Sequence, residues 1–104
     1  MKRIESENNR WVFPENISFE SVAEYNQLFQ SLQNPDDLVF DLSQTENMHS
    51  SYIGFLIHTK HTLNRSGASL RLILSFTAEK ILTMLNVLEY FSADITGAAP
   101  RKTA

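Results

Sequence analysis

The chain has 104 residues, 42% of them hydrophobic and 20% charged, a formal net charge of −3 and no cysteine, which is enough for one cored domain and too little for two. Disulfides, thiolate metal sites and cysteine nucleophiles are excluded, and nine scattered Lys and Arg on a net-negative chain argue against nucleic acid, so protein partners are expected. No apolar run approaches the roughly 20 residues of a membrane span, and the opening Met-Lys-Arg-Ile-Glu-Ser-Glu lacks the apolar core of a signal peptide, so a soluble, cytoplasmic protein with no membrane insertion is expected.

In chain order, residues 1–13 read as a small hairpin, with Glu7-Asn8-Asn9 supplying turn chemistry and Arg10-Trp11-Val12-Phe13 a β-prone run that Pro14 ends. Ser18 is positioned to cap a helix whose apolar residues Phe19, Val22, Ala23, Leu28, Phe29 and Leu32 recur at steps of three and four, with Glu20, Glu24 and Gln27 on the wet face. Asn34-Pro35-Asp36 should break it. Leu38-Val39-Phe40-Asp41-Leu42 reads as a central strand covered on both faces. After a loop from Ser43 to His49, a second helix should bury Ile53, Leu56, Ile57 and Leu63, solvate Lys60, Asn64 and Arg65, and stop at Ser66-Gly67. Ser69 to Leu74 is another strand. Ser75 or Thr77 can cap a third helix, with Ile81, Leu82, Leu85 and Leu88 inside and Asn86 at its end. Tyr90 to Ile95 reads as an edge strand. The domain should span residues 1–96, followed by a loose tail at 97–104. Strands alternating with helices predict an α/β domain with a mixed, mostly parallel sheet of four to five strands and three or four helices.

The candidate chemistry lies where the second helix begins. Ser50 and Ser51 fall in its first turn, where unpaired amides and the helix dipole favour an anion; a serine there either caps the helix or carries a phosphate. Asp41 either bonds loop amides or interacts with whatever Ser50 carries. His49, His58 and His61 offer no carboxylate at ligand spacing, so no metal is expected. A Ser50–His49 or Ser50–His58 hydrolase is disfavoured because no Gly-x-Ser-x-Gly elbow is present. Tyr52 reads as an exposed aromatic and so as an interface anchor. Trp11, Phe13 and Tyr25 read as packing residues.

Asp41-Leu42-Ser43 followed by Met48-His49-Ser50-Ser51-Tyr52-Ile53-Gly54 resembles the STAS domain, named for sulphate transporters and anti-sigma-factor antagonists. In that family a strand ending in Asp-Leu-Ser leads to a fingerprint close to Met-Asp-Ser-Ser-Gly-Leu-Gly at a helix start. The resemblance covers roughly residues 10 to 92 and extends through Gly67 and the helix from Ala78 to Leu88. His49 stands where the family has an acidic residue, Tyr52 replaces the first glycine, Gly54 matches the second, and Val87 stands where a later glycine is usual. The resemblance implies an anti-sigma-factor antagonist with no catalytic activity and no cofactor. Unphosphorylated, it would bind an anti-sigma factor that is also a serine kinase. That kinase would phosphorylate Ser50, with Ser51 the runner-up acceptor, and a serine phosphatase would reset the cycle. Ser51 and the amides of Tyr52 and Ile53 would cradle the anion; His49, Gly54 and Tyr52 would belong to the docking face, with Asp41 as local support. The alternative is a non-switching STAS subunit of a lipid transporter or a stress-signalling scaffold, in which Ser50 only caps its helix.

Overall fold

A computed structural model describes residues 5–7, 9–32 and 36–95, with side chains described from residue 9 onward. The elements run β1 (Glu5–Glu7), β2 (Arg10–Val12), β3 (Asn16–Ile17), α1 (Phe19–Gln30), β4 (Leu38–Leu42), β5 (Asn47–Met48), α2 (Ser51–Arg65), β6 (Leu70–Leu74), α3 (Phe76–Met84) and a 3-10 helix, Glu89–Asp94. Asn9, at φ 64°, turns β1 back against β2 as an antiparallel pair, and β2, β4 and β6 then lie parallel in the order β1-β2-β4-β6. Parallel neighbours need long crossovers, and α1 and α2 provide them. The result is a mixed α/β fold, as the alternation of elements predicts, with three α-helices among the described residues. The helix break at Asn34-Pro35 and the tail at 97–104 lie outside the described residues.

Local chemistry sets the helix ends. Ser18 accepts the amide of Ser21 and Ser75 accepts that of Ala78, each from an extended backbone. Both α2 and α3 close with a left-handed residue, Gly67 (φ 88°) and Asn86 (φ 61°). Behind each, the next amide reaches back five residues, Ala68 to the carbonyl of Leu63 and Val87 to that of Leu82.

The core lies between one face of the sheet and the helices. Trp11, Phe40 and Leu72 face one another across three strands, flanked by Leu38, Leu42, Leu70 and Leu74, and all are buried. Phe55 of α2 stacks on Phe40 at 5.8 Å, and Tyr25 of α1 and Tyr52 of α2 meet Phe13 edge-on. On the outer face of β4, Asp41 is buried and Val39 half-buried, so among the described residues that face is less deeply covered than the core face. The alternate residues Val12, Val39 and Ile73 point away from the core and stay half-buried, between exposed Arg10 and Arg71.

Several faces differ from the sequence reading. On α1 the buried residues are Ser21, Val22, Tyr25 and Phe29, while Phe19 (60% exposed), Ala23, Leu28 and Leu32 lie outward. On α2 they are Tyr52, Ile53, Phe55, Leu56, Thr59 and Leu63, and Ile57 is exposed. Of the residues expected inside the third helix, Leu82 is buried and Ile81 half-buried on α3, while Leu85 and Leu88 lie past its last residue, exposed and half-buried. Residues 89–94 form a 3-10 helix instead of an edge strand, because buried Phe91 and the bond from Lys60 Nζ to the carbonyl of Tyr90 turn the chain inward; Ile95 alone makes a bridge, to Leu72. Lys60 is accordingly not a solvated residue.

Candidate functional site at the start of the second helix

The segment leading to Ser50 is fastened along its length to residues 13–17. Gln44 Nε2 donates to the carbonyl of Phe13 at 2.9 Å and Thr45 Oγ1 to that of Pro14 at 2.8 Å. The amides of Glu46 and Asn47 donate to the carbonyl of Glu15, and that of His49 to the carbonyl of Ile17. Ser75 Oγ donates to the carbonyl of Thr45 at 2.6 Å, tying the loop to the start of α3 as well. The loop expected from Ser43 to His49 is therefore held by a second, two-stranded parallel sheet, β3 with β5. Main-chain bonds of this kind leave no side-chain signature, which is why the sequence shows only a loop.

At the tip of this support Ser50 is exposed. Its backbone is helical (φ −60°, ψ −25°) and its side chain makes no capping bond. The cap comes from His49, whose Nδ1 accepts the amide of Ser51 at 3.0 Å and lies 2.9 Å from Ser51 Oγ. Histidine is not among the usual cap residues, so sequence reasoning misses it. Ser51 is half-buried and engaged with His49; Ser50 has its hydroxyl free of any cap role.

Two expectations about this site are corrected. The amides proposed as an anion cradle are taken: that of Tyr52 donates to the carbonyl of His49 (2.9 Å) and that of Ile53 to the carbonyl of Ser50 (3.0 Å). The first turn is tightened, and i to i+3 bonds satisfy donors that an α-helical start leaves orphaned. Tyr52, expected to be an exposed docking anchor, is 0% exposed and packs against Phe13, Tyr25 and Phe55. Buried residues Tyr52, Phe55, Thr59 and Leu63 follow the three- and four-residue steps of a helix, so Tyr52 falls on the inward row.

Asp41 is engaged elsewhere. One carboxylate oxygen accepts the amide of Ser43 at 2.9 Å and the other pairs with the Arg10 guanidinium. Burial pushes its pKa up, but the hydrogen bonds from Ser43 and the pairing with Arg10 outweigh burial and hold it below the usual carboxylate range. Its work is to fix the turn after β4, the blander of the two roles open to it in the sequence.

Gly54 is exposed, and a Cβ placed there would meet nothing within 4 Å, so its role is not close approach within the fold. It borders a groove of about 320 Å³ between α1 and α2, with Phe19, Val22, Ala23 and Phe55. A second groove, of about 670 Å³, runs from Ile17 and Phe19 past Met48 and His49 to Ser50 and includes Glu20. Phe19 belongs to both, its ring 5.3 Å from that of His49. It is an exposed aromatic beside Ser50, the part that Tyr52 plays in the sequence reading. His58 and His61 lie exposed farther along α2. No helix is long and apolar enough to cross a membrane, and no three His, Asp or Glu residues gather as a metal site, among the described residues. No family model, curated protein or solved structure matches this chain.

Proposed function

We propose that the chain is a non-catalytic protein-binding module of the anti-sigma-factor-antagonist kind, switched by reversible phosphorylation of Ser50. The observation that carries this reading is the division of labour at the start of α2: His49 caps the helix, so Ser50 is not needed as the cap, and its hydroxyl lies exposed at the end of a firmly held loop. The order of strand, Asp-Leu-Ser turn, two serines and helix adds the resemblance to the STAS domain. The partner that follows from that resemblance is an anti-sigma factor with serine-kinase activity, bound by the unphosphorylated form, with a serine phosphatase acting on the phospho-form.

The switch works outward. A phosphate adds roughly −1.5 to −2 charges at pH 7. With the amides of Ser51, Tyr52 and Ile53 already bonded, the group stands in solvent beside the groove containing Phe19 and Glu20 and alters what a partner meets there. The fold need not change. The test is to isolate the partner with the chain as bait, incubate the two with ATP and measure intact mass. One added phosphate mapping to Ser50 is expected; none, or a phosphate elsewhere, ends the proposal.

A further inference from the structure

His49 contributes more to the start of α2 than a change of charge. Its carbonyl accepts the amide of Tyr52, and its ring Nδ1 accepts the amide of Ser51 while lying within reach of Ser51 Oγ. An amide can only donate, so Nδ1 presents its lone pair and the neutral ring carries its proton on Nε2. We infer that His49 is the cap and positioning residue of the Ser50 site, and that it acts only while its imidazole is neutral, which makes the start of α2 acid-sensitive.

Protonation has two consequences of the same sign. It places a hydrogen on Nδ1, where the amide of Ser51 needs an acceptor, and it puts a positive charge at the helix end whose dipole is already positive. The Phe19 ring packs against the imidazole from α1, and Glu20 is the other titratable side chain of the groove that holds it. Among the described residues no ion pair joins His49 to a carboxylate; Arg10 pairs with Asp41 and Lys60 with Asp94. Tyr52 and Ile53 keep their short main-chain bonds only if the first turn stays closed, so loss of the cap loosens the segment that presents Ser50. The inference goes beyond the phosphorylation switch and holds for the unmodified chain alone.

Two measurements on the isolated chain test it. Long-range proton–nitrogen correlation spectra of the histidine rings at neutral pH should show His49 as the Nε2–H tautomer. Exchange of the Ser51 amide, normalised to its intrinsic rate, should lose protection about fivefold between about pH 8 and pH 5, the change that losing one cap produces. His49→Asn, whose side-chain oxygen accepts without titrating, should keep protection at both values, and His49→Ala should lack it at both, with far-ultraviolet circular dichroism verifying that each variant is folded. An Nδ1–H tautomer, wild-type protection that does not change with pH, or a wild-type pH profile in His49→Asn overturns the inference. The tautomer measurement needs no variant.

Discussion

Arg10 on β2 and Asp41 on β4 form an ion pair between adjacent parallel strands, 31 positions apart in the chain. The Asp41 side chain is 3% exposed and that of Arg10 is 53% exposed, so the pair is buried at one end and wet at the other. Because the folded carboxyl is held below its ordinary value, its contribution to stability is present above the unfolded value near pH ~3.9 and is lost as pH falls through the lower folded value. Asp41→Asn should cost about 1–2 kcal/mol at neutral pH, an amount reduced by the solvent around Arg10. Urea unfolding at about pH 7 and about pH 3 should show the gap between wild type and variant narrowing in acid. The same gap at both would contradict the assignment.

The Tyr52 hydroxyl is buried and finds no hydrogen-bond partner among the described residues, and burial, then the neighbouring Tyr25, push its pKa well above the ordinary tyrosine value. Its ring, not its hydroxyl, stabilises the fold. Tyr52→Phe should therefore be neutral or stabilising by up to about 1 kcal/mol, whereas Tyr52→Ala should cost about 3–5 kcal/mol. Thermal and chemical unfolding of the two variants separate these cases. A Phe variant clearly less stable than wild type would mean that the hydroxyl has a partner.

Lys60 ties the C-terminal 3-10 helix to α2. Its ammonium lies 2.7 Å from Asp94 Oδ2, donates to the carbonyl of Tyr90 at 2.7 Å and sits 4.4 Å from the centre of the Tyr90 ring. Both charged side chains are only 16% exposed, so the pair is less screened than a surface one. Lys60→Met should destabilise by about 1–2 kcal/mol and speed amide exchange between Glu89 and Asp94 more than in β4. Uniform acceleration throughout would show that Lys60 acts globally and not as a local tie.

What was legible in the sequence was mainly what local chemistry decides. Ser18 and Ser75 announce helix starts, Gly67 and Asn86 announce ends, and the runs at Leu38 and Leu70 announce strands, because each depends on its immediate neighbours. The inward faces of the helices were harder. Apolarity counting favours Phe19, Leu28 and Ile57, which lie outward, and misses Tyr52, whose ring fills the core while its hydroxyl makes it look like a surface residue; Tyr25, read as a packing residue, is buried. At the candidate site, the helix start and its two serines could be located, but the support could not. The bonds of residues 44–49 to residues 13–17 run mostly from one main chain to the other across about 30 positions and carry no side-chain pattern. The histidine cap has a faint signal, a His immediately before two serines with no Asp or Asn in the capping position.

Ser50 is exposed and makes no side-chain cap bond, so its replacement should leave stability within about 0.5 kcal/mol and report on recognition alone. The most direct test compares Ser50→Ala with Ser50→Asp in binding to the kinase partner isolated with the wild-type chain. The account predicts that the alanine variant binds as the unmodified protein does and accepts no phosphate from ATP, while the aspartate variant binds at least tenfold more weakly, a loss of about 1.4 kcal/mol. Equal binding by the two variants would contradict it.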